Sequence, residues 1–173
     1  MQTVLIIIAA IIALPFVIAL FIPKEYKVAR SIVINAPKNE VFDYIKYIKN
    51  QDYYSKWNMT DPDKQQIFTG TDGTVGFIYA WNGNSKAGEG AQEIMGIADG
   101  ERLTTEVRFV RPFKSTGHLY MITEALTDHS TKVSWGMTGK MGYPLNLMTS
   151  LMKGGLGKDL DISLNNLKGI LEK

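Results

Sequence analysis

Residues 143–171 read YPLNLMTSLMKGGLGKDLDISLNNLKGIL. Within that stretch Leu145, Met148, Met152, Leu156, Leu160, Leu164, Leu167 and Leu171 recur every three or four positions. This spacing collects them on one face of an amphipathic helix of about seven turns. Tyr143-Pro144 opens the segment, and proline is suited to a first-turn position, where its missing N–H has no partner to lose. An apolar stripe of this length must be buried against another apolar surface.

The preceding sequence supplies that surface. Gln66–Thr69, Val75–Trp81, Gly88–Ile97, Arg102–Arg111, Ser115–Leu126 and Lys132–Met141 are rich in β-formers. Turn chemistry separates them: Thr71-Asp72-Gly73, Asn82-Gly83-Asn84, Asp99-Gly100, Arg111-Pro112 and Thr127-Asp128-His129-Ser130. Such short connections favour an antiparallel meander. Further upstream, Tyr26–Asn35 reads as a strand and Ala36-Pro37 ends it. Val41, Tyr44, Ile45 and Ile48 then follow at helical spacing, and a second short helix is expected around Asp52–Trp57, before the turn at Asp61-Pro62-Asp63. The expected order is strand, two helices, six strands and one long helix, an α+β chain with about seven strands.

At the other end, Val4–Ile22 (VLIIIAAIIALPFVIALFI) carries no charge, and all 19 Lys and Arg and all 17 Asp and Glu lie at or beyond Lys24. As a helix this run reaches roughly 28 Å, close to the ~30 Å hydrocarbon core of a bilayer. A cleaved secretory signal is the competing reading. The leader Met1-Gln2-Thr3 has no basic residue and the apolar run is too long, so a retained anchor is favoured. Pro15 is tolerated in a membrane helix. Lys24, Lys27 and Arg30 follow the run, which places the rest of the chain on the cytoplasmic side of a cell membrane crossed once. The expected division is residues 1–23 as an anchor and 24–173 as one domain.

The chain has a net charge of +2 with interspersed signs, and no basic stripe of the kind that tracks nucleic acid. It has no cysteine, which excludes disulfides, thiolate metal sites and a cysteine nucleophile. Asn58-Met59-Thr60 fits a glycosylation sequon that a cytoplasmic topology would hide.

The strand followed by Ala36-Pro37-x-x-Glu40-Val41-Phe42, then Tyr54-x-x-Trp57, resembles the opening of the START-like superfamily, also called SRPBCC or polyketide cyclase/dehydrase and lipid-transport proteins. Gly73-x-x-Gly76-x-x-x-x-Trp81-x-Gly83 and the long closing helix are similar too, and the resemblance runs over residues 26–172. It implies a helix-grip fold, in which a curved antiparallel sheet wraps around the C-terminal helix and leaves an apolar cavity between them. The N-terminal anchor is an addition to that core.

No motif for catalysis emerges. His118 and His129 are eleven residues apart, with no second ligand at metal-binding spacing. No serine sits in a G-x-S-x-G setting. Gly154-Gly155-Leu156-Gly157-Lys158 lacks both the spacing and the hydroxyl of a phosphate loop, and reads instead as a soft point in the closing helix. Glu89 and Glu93 share a strand face about 13 Å apart, too far for cooperating glycosidase acids. Glu106 and Arg108 suggest an outward polar face.

The most suggestive set is apolar: Tyr79, Trp81, Met95, Phe109, Tyr120, Trp135, Met137 and Met141 on strands, with Met148 and Met152 on the closing helix. Methionine suits surfaces that adapt to varied apolar shapes. Each of these fits a plain core as well. The implied fold makes them candidate cavity lining, with His118, Tyr120 and Trp135 offering polar contacts. The expected function is membrane-tethered binding of a lipid or other hydrophobic small molecule, without metal or cofactor. A cyclase- or dehydratase-type enzyme using the same cavity, and an interaction domain whose cavity is filled by its own side chains, are the alternatives.

Overall fold

A computed structural model describes residues 2–173, without the side chains of Leu5, Ile6, Ile8, Ala9, Ala10, Ser150 and Leu151. Helix α1 (Gln2–Phe21) is followed after three residues by strand β1 (Glu25–Ile34). Helices α2 (Lys38–Ile45) and α3 (Gln51–Tyr54) come next. The strands β2 (Gln65–Thr69), β3 (Ile78–Asn82), β4 (Glu89–Ala98), β5 (Arg102–Arg111), β6 (Ser115–Thr127) and β7 (Ser130–Lys140) then precede α4 (Thr149–Leu171). All seven strands form one antiparallel sheet in the order β1-β7-β6-β5-β4-β3-β2. This is the expected meander, with β1 returning to pair with the last strand.

The expected strand 75–81 begins later, at Ile78. Its first residues form the turn that leads in, where Gly73 adopts φ +79° and lies under the Tyr47 ring; a Cβ there would sit 2.7 Å from that ring. Only glycine meets both demands.

Alternation decides which side chains face α4. On β6, Gly117, Leu119, Met121 and Thr123 are buried, while His118 and Glu124 are exposed and Tyr120 is half-covered. From α4, Leu160, Leu164 and Leu167 are almost fully buried in the same core as Val133, Trp135, Ile94 and Leu103. The segment carrying Tyr54 and Trp57 is fastened to α4. The Trp57 Nε1–H donates to Asp159 at 3.1 Å, the Lys56 N–H to Ser163 Oγ at 2.8 Å, and the Asn166 amide to the Tyr54 carbonyl at 3.1 Å. Tyr54 and Trp57 each meet Trp135 edge to face with ring centres 5.8 Å apart.

The closing helix starts later than its pattern suggests. Leu145–Met148 form a 3-10 turn, and α4 begins at Thr149. Leu145 and Met148 are exposed, so the first two members of the leucine–methionine stripe lie off the core. The reason is Asn146, which is fully buried and donates through Nδ2 to the carbonyls of Ala19 (2.6 Å) and Ile22 (2.8 Å). It thereby satisfies carbonyls that the end of α1 leaves without intrahelical partners. Phe16 of α1 and Tyr143 also pack together, with ring centres 6.5 Å apart.

The stretch expected to span a membrane is helical, but among the described residues no helix is long and apolar enough to cross one. The expectation of a transmembrane helix is therefore not met by the described structure.

Leu164→Ala is expected to destabilise the chain by about 2–5 kcal/mol in urea unfolding, because it opens a cavity under α4. Leu145→Ala, on the same sequence stripe but outside the core, is expected to stay within about 0.5 kcal/mol of the parent.

Candidate functional site

Sheet and helix do not meet along their whole length. Around the first half of α4 a cavity of about 210 Å³ remains. Its wall draws on Tyr79 and Trp81 of β3, Val107 and Phe109 of β5, Leu119 of β6 and Met137 of β7. Trp57 and Leu156 close the helical side. Among the described side chains of α4 only Leu156 contributes, and its neighbours Gly154, Gly155 and Gly157 bring no side chain to fill the space. Gly157 has a packing role of its own, since Arg30 lies across it and pairs with Asp161 at 3.1 Å. Gly154 and Gly155 face open space.

The aromatic wall is fixed from behind. Trp81 donates its Nε1–H to the Ala87 carbonyl at 3.1 Å, and its ring covers Gly90, where a Cβ would approach within 2.7 Å. Phe109 meets Trp81 nearly perpendicularly at 5.9 Å, and Tyr79 packs on its other side at 6.4 Å. Edge-to-face geometry of this kind holds rings in place.

One end of the wall is polar. Asp52 accepts from the Tyr79 hydroxyl at 2.6 Å, from Lys64 Nζ at 3.0 Å, from the Asn58 amide at 3.2 Å and from the Gln66 amide at 3.1 Å. Gln66 also donates to the Tyr79 oxygen at 2.8 Å, and Lys64 to the Asn58 carbonyl at 2.8 Å. Burial, then the bond to the Asp52 carboxylate, push the Tyr79 phenol well above its ordinary value, so it stays protonated. Gln92 is buried and donates to Thr105 Oγ1 at 3.0 Å. At the mouth, Arg111 pairs with Glu89 at 2.9 Å, and Lys86 is exposed. Gln51 is the exception. It is 3% exposed, lines the cavity, and makes no side-chain hydrogen bond among the described residues.

Of the candidate lining residues, the fold brings together Tyr79, Trp81, Phe109 and Met137. Trp135 is buried in the core beside them, and Met152 is half-buried against that core. The others lie elsewhere. His118 and Tyr120 stand on the outer face of β6, one residue out of phase with the cavity. His118 approaches Glu106 at 3.6 Å, and Tyr120 covers Gly136 with the Arg102 guanidinium over its ring at 5.2 Å. Met95 points outward from β4 and is exposed, as is Met148. Met141 is buried where its N–H bonds the Lys24 carbonyl, close to the end of α1. The outward polar face expected at Glu106 and Arg108 is present: Arg108 pairs with Glu106 and with Glu93, both at 2.7 Å. Gln51, Trp57, Leu119 and Leu156 complete the wall. Strand alternation marks Leu119, whereas nothing in the irregular 46–64 region marks Gln51.

No sequence profile of a known protein family matches the chain, and no characterised protein matches it by sequence. Solved structures do match in shape. Protein CV1439 from Chromobacterium violaceum aligns over 87% of this chain and 98% of its own, at 14% identity and a TM-score of 0.60. Norcoclaurine synthase from Thalictrum flavum, solved in complex with dopamine and hydroxybenzaldehyde, aligns over 84% of this chain and 86% of its own, at 7% identity and a TM-score of 0.64. The Aha1 dimer from Colwellia psychrerythraea aligns over 85% and 96%, at 13% identity and a TM-score of 0.57. At these identities the likeness shows the fold alone, a helix-grip arrangement of a curved antiparallel sheet around a C-terminal helix.

Asp52→Ala would leave the Lys64 ammonium buried without its counter-charge. We expect it to cost about 3–5 kcal/mol in urea unfolding, and Lys64→Met to cost clearly less, since an uncompensated buried charge is worse than none.

Proposed function

We propose that this protein binds a small hydrophobic molecule in the cavity between sheet and α4. The observation that carries the reading is the cavity itself: about 210 Å³, walled by fixed aromatic and aliphatic side chains. An engineered apolar cavity of about 150 Å³ holds benzene. The volume here suits one or two fused rings, and is too small for a full acyl chain, which narrows the expected ligand class from lipids to compact aromatics. The synthase of similar fold was solved in complex with dopamine and hydroxybenzaldehyde, both of them ring compounds, which supports the reading. Binding is favoured over acid–base chemistry because Asp52, Tyr79 and Lys64 are already bonded to one another.

The test uses naphthalene as probe and the Met137 methyl resonance of the full chain, carried in lipid nanodiscs, as a reporter of occupancy. Saturable shifts of that methyl are expected. Leu119→Trp, which fills the cavity from β6, should weaken binding by about tenfold or more. Naphthalene that leaves the Met137 methyl unmoved at saturation would sink the reading and favour a domain that acts through its surface.

The 1–23 segment is proposed as a tether to the cell membrane, with residues 24–173 in the cytoplasm. Support comes from the uncharged run 4–22, from the helical course of residues 2–21, and from Lys24, Lys27 and Arg30 beyond it. The described side chains of α1 are exposed apart from Ala19, and a helix that is apolar on every face needs an apolar surround. Full-length protein should stay in the membrane pellet through alkaline carbonate washing. A unique cysteine at Asp128→Cys, in a chain with no other, should react with an impermeant maleimide only after the cells are opened. Release into the wash rules out the tether, and labelling of intact cells reverses the orientation.

A further inference from the structure

We infer that the cavity takes a neutral aromatic molecule carrying one hydrogen-bonding group, and that Gln51 is the residue that receives it. This rests on the cavity-binding reading above and names the chemistry of its ligand.

A primary amide offers a carbonyl acceptor and two N–H donors, which a group in the same cavity can match. Every other polar side chain deep in this wall has a partner. Gln92 holds Thr105; Tyr79, Asn58 and Lys64 hold Asp52. Gln51, 3% exposed at the same wall, holds nothing among the described residues. A ligand hydroxyl, which both donates and accepts, matches an amide best, and a carbonyl matches its N–H.

The charge balance selects a neutral group. The cations nearest the cavity are already countered, Lys64 by Asp52 and Arg111 by Glu89, and Lys86 stands exposed at the mouth. Lys86, the lining cation without an ion pair among the described residues, is exposed, so water screens it and it does little to repay the burial of an anion, and a lone amide does not offset that cost. The ring system then lies against the wall that Trp81 and Phe109 form together, while Gln51 sets its direction. Gln51 is a specificity residue in this arrangement, separating hydroxylated from plain hydrocarbon rings.

Two probes of nearly equal shape test this, naphthalene and 2-naphthol, each titrated into the full chain in nanodiscs and read at the Met137 methyl. The parent should bind 2-naphthol more tightly. In Gln51→Leu and Gln51→Met, 2-naphthol should weaken about three- to tenfold, the loss expected for one buried hydrogen bond, while naphthalene binds as well or better. Unchanged naphthalene binding also certifies that the variants fold. Equal weakening of both probes makes Gln51 a packing residue and overturns the inference, as does equal affinity of both probes for parent and variants. Failure of naphthalene to bind the parent is a different result, which removes the cavity reading itself and the assignment with it.

Discussion

The structure depends on one burial: the leucine face of α4 against the concave side of the sheet. Leu160, Leu164 and Leu167 are almost wholly removed from water there, in one core with residues of β1 and of the strands β3 to β7. A seven-stranded sheet with one bare apolar face is not stable in water, and neither is an isolated amphipathic helix. Each is the other's solvent shield. The ties of Tyr54, Lys56 and Trp57 to the same helix show how the short α2–α3 region is drawn into that contact.

The cavity is the part of this contact that α4 leaves unfilled. In its second half the helix presents a leucine at nearly every inward position. In its first half glycines stand at 154, 155 and 157, and among the described side chains only Leu156 reaches the cavity. The space is bounded by rings that support one another and by a polar cluster centred on Asp52, whose four donors come from separate side chains. Rigid walls select by shape, and one free amide among satisfied groups selects by direction.

Much of the fold was legible because period-two alternation and turn residues mark strands, and the three- to four-residue spacing of leucines marks α4. The site was only half legible. Tyr79, Trp81, Phe109 and Met137 lie on inward phases and line the cavity. His118 and Tyr120 were chosen for their chemistry, although Glu124 shares their phase on β6, and a charged residue on that phase turns it to solvent. Leu119, between them, is the inward residue. Asn146 broke the helical pattern at its start for a reason that lies 124–127 residues away, at the end of α1. Gln51 escaped because polarity in an irregular segment ordinarily signals exposure, and only three-dimensional packing shows otherwise.

The Asn146 contact has a mechanical meaning. Three residues separate α1 from β1, and a side chain rooted at the threshold of α4 grips the last turn of α1 from the other side. Two attachments at different points along the chain remove the swivel that a single linker leaves. The end of α1 is thereby oriented against the threshold of α4 as well as by the linker it runs into.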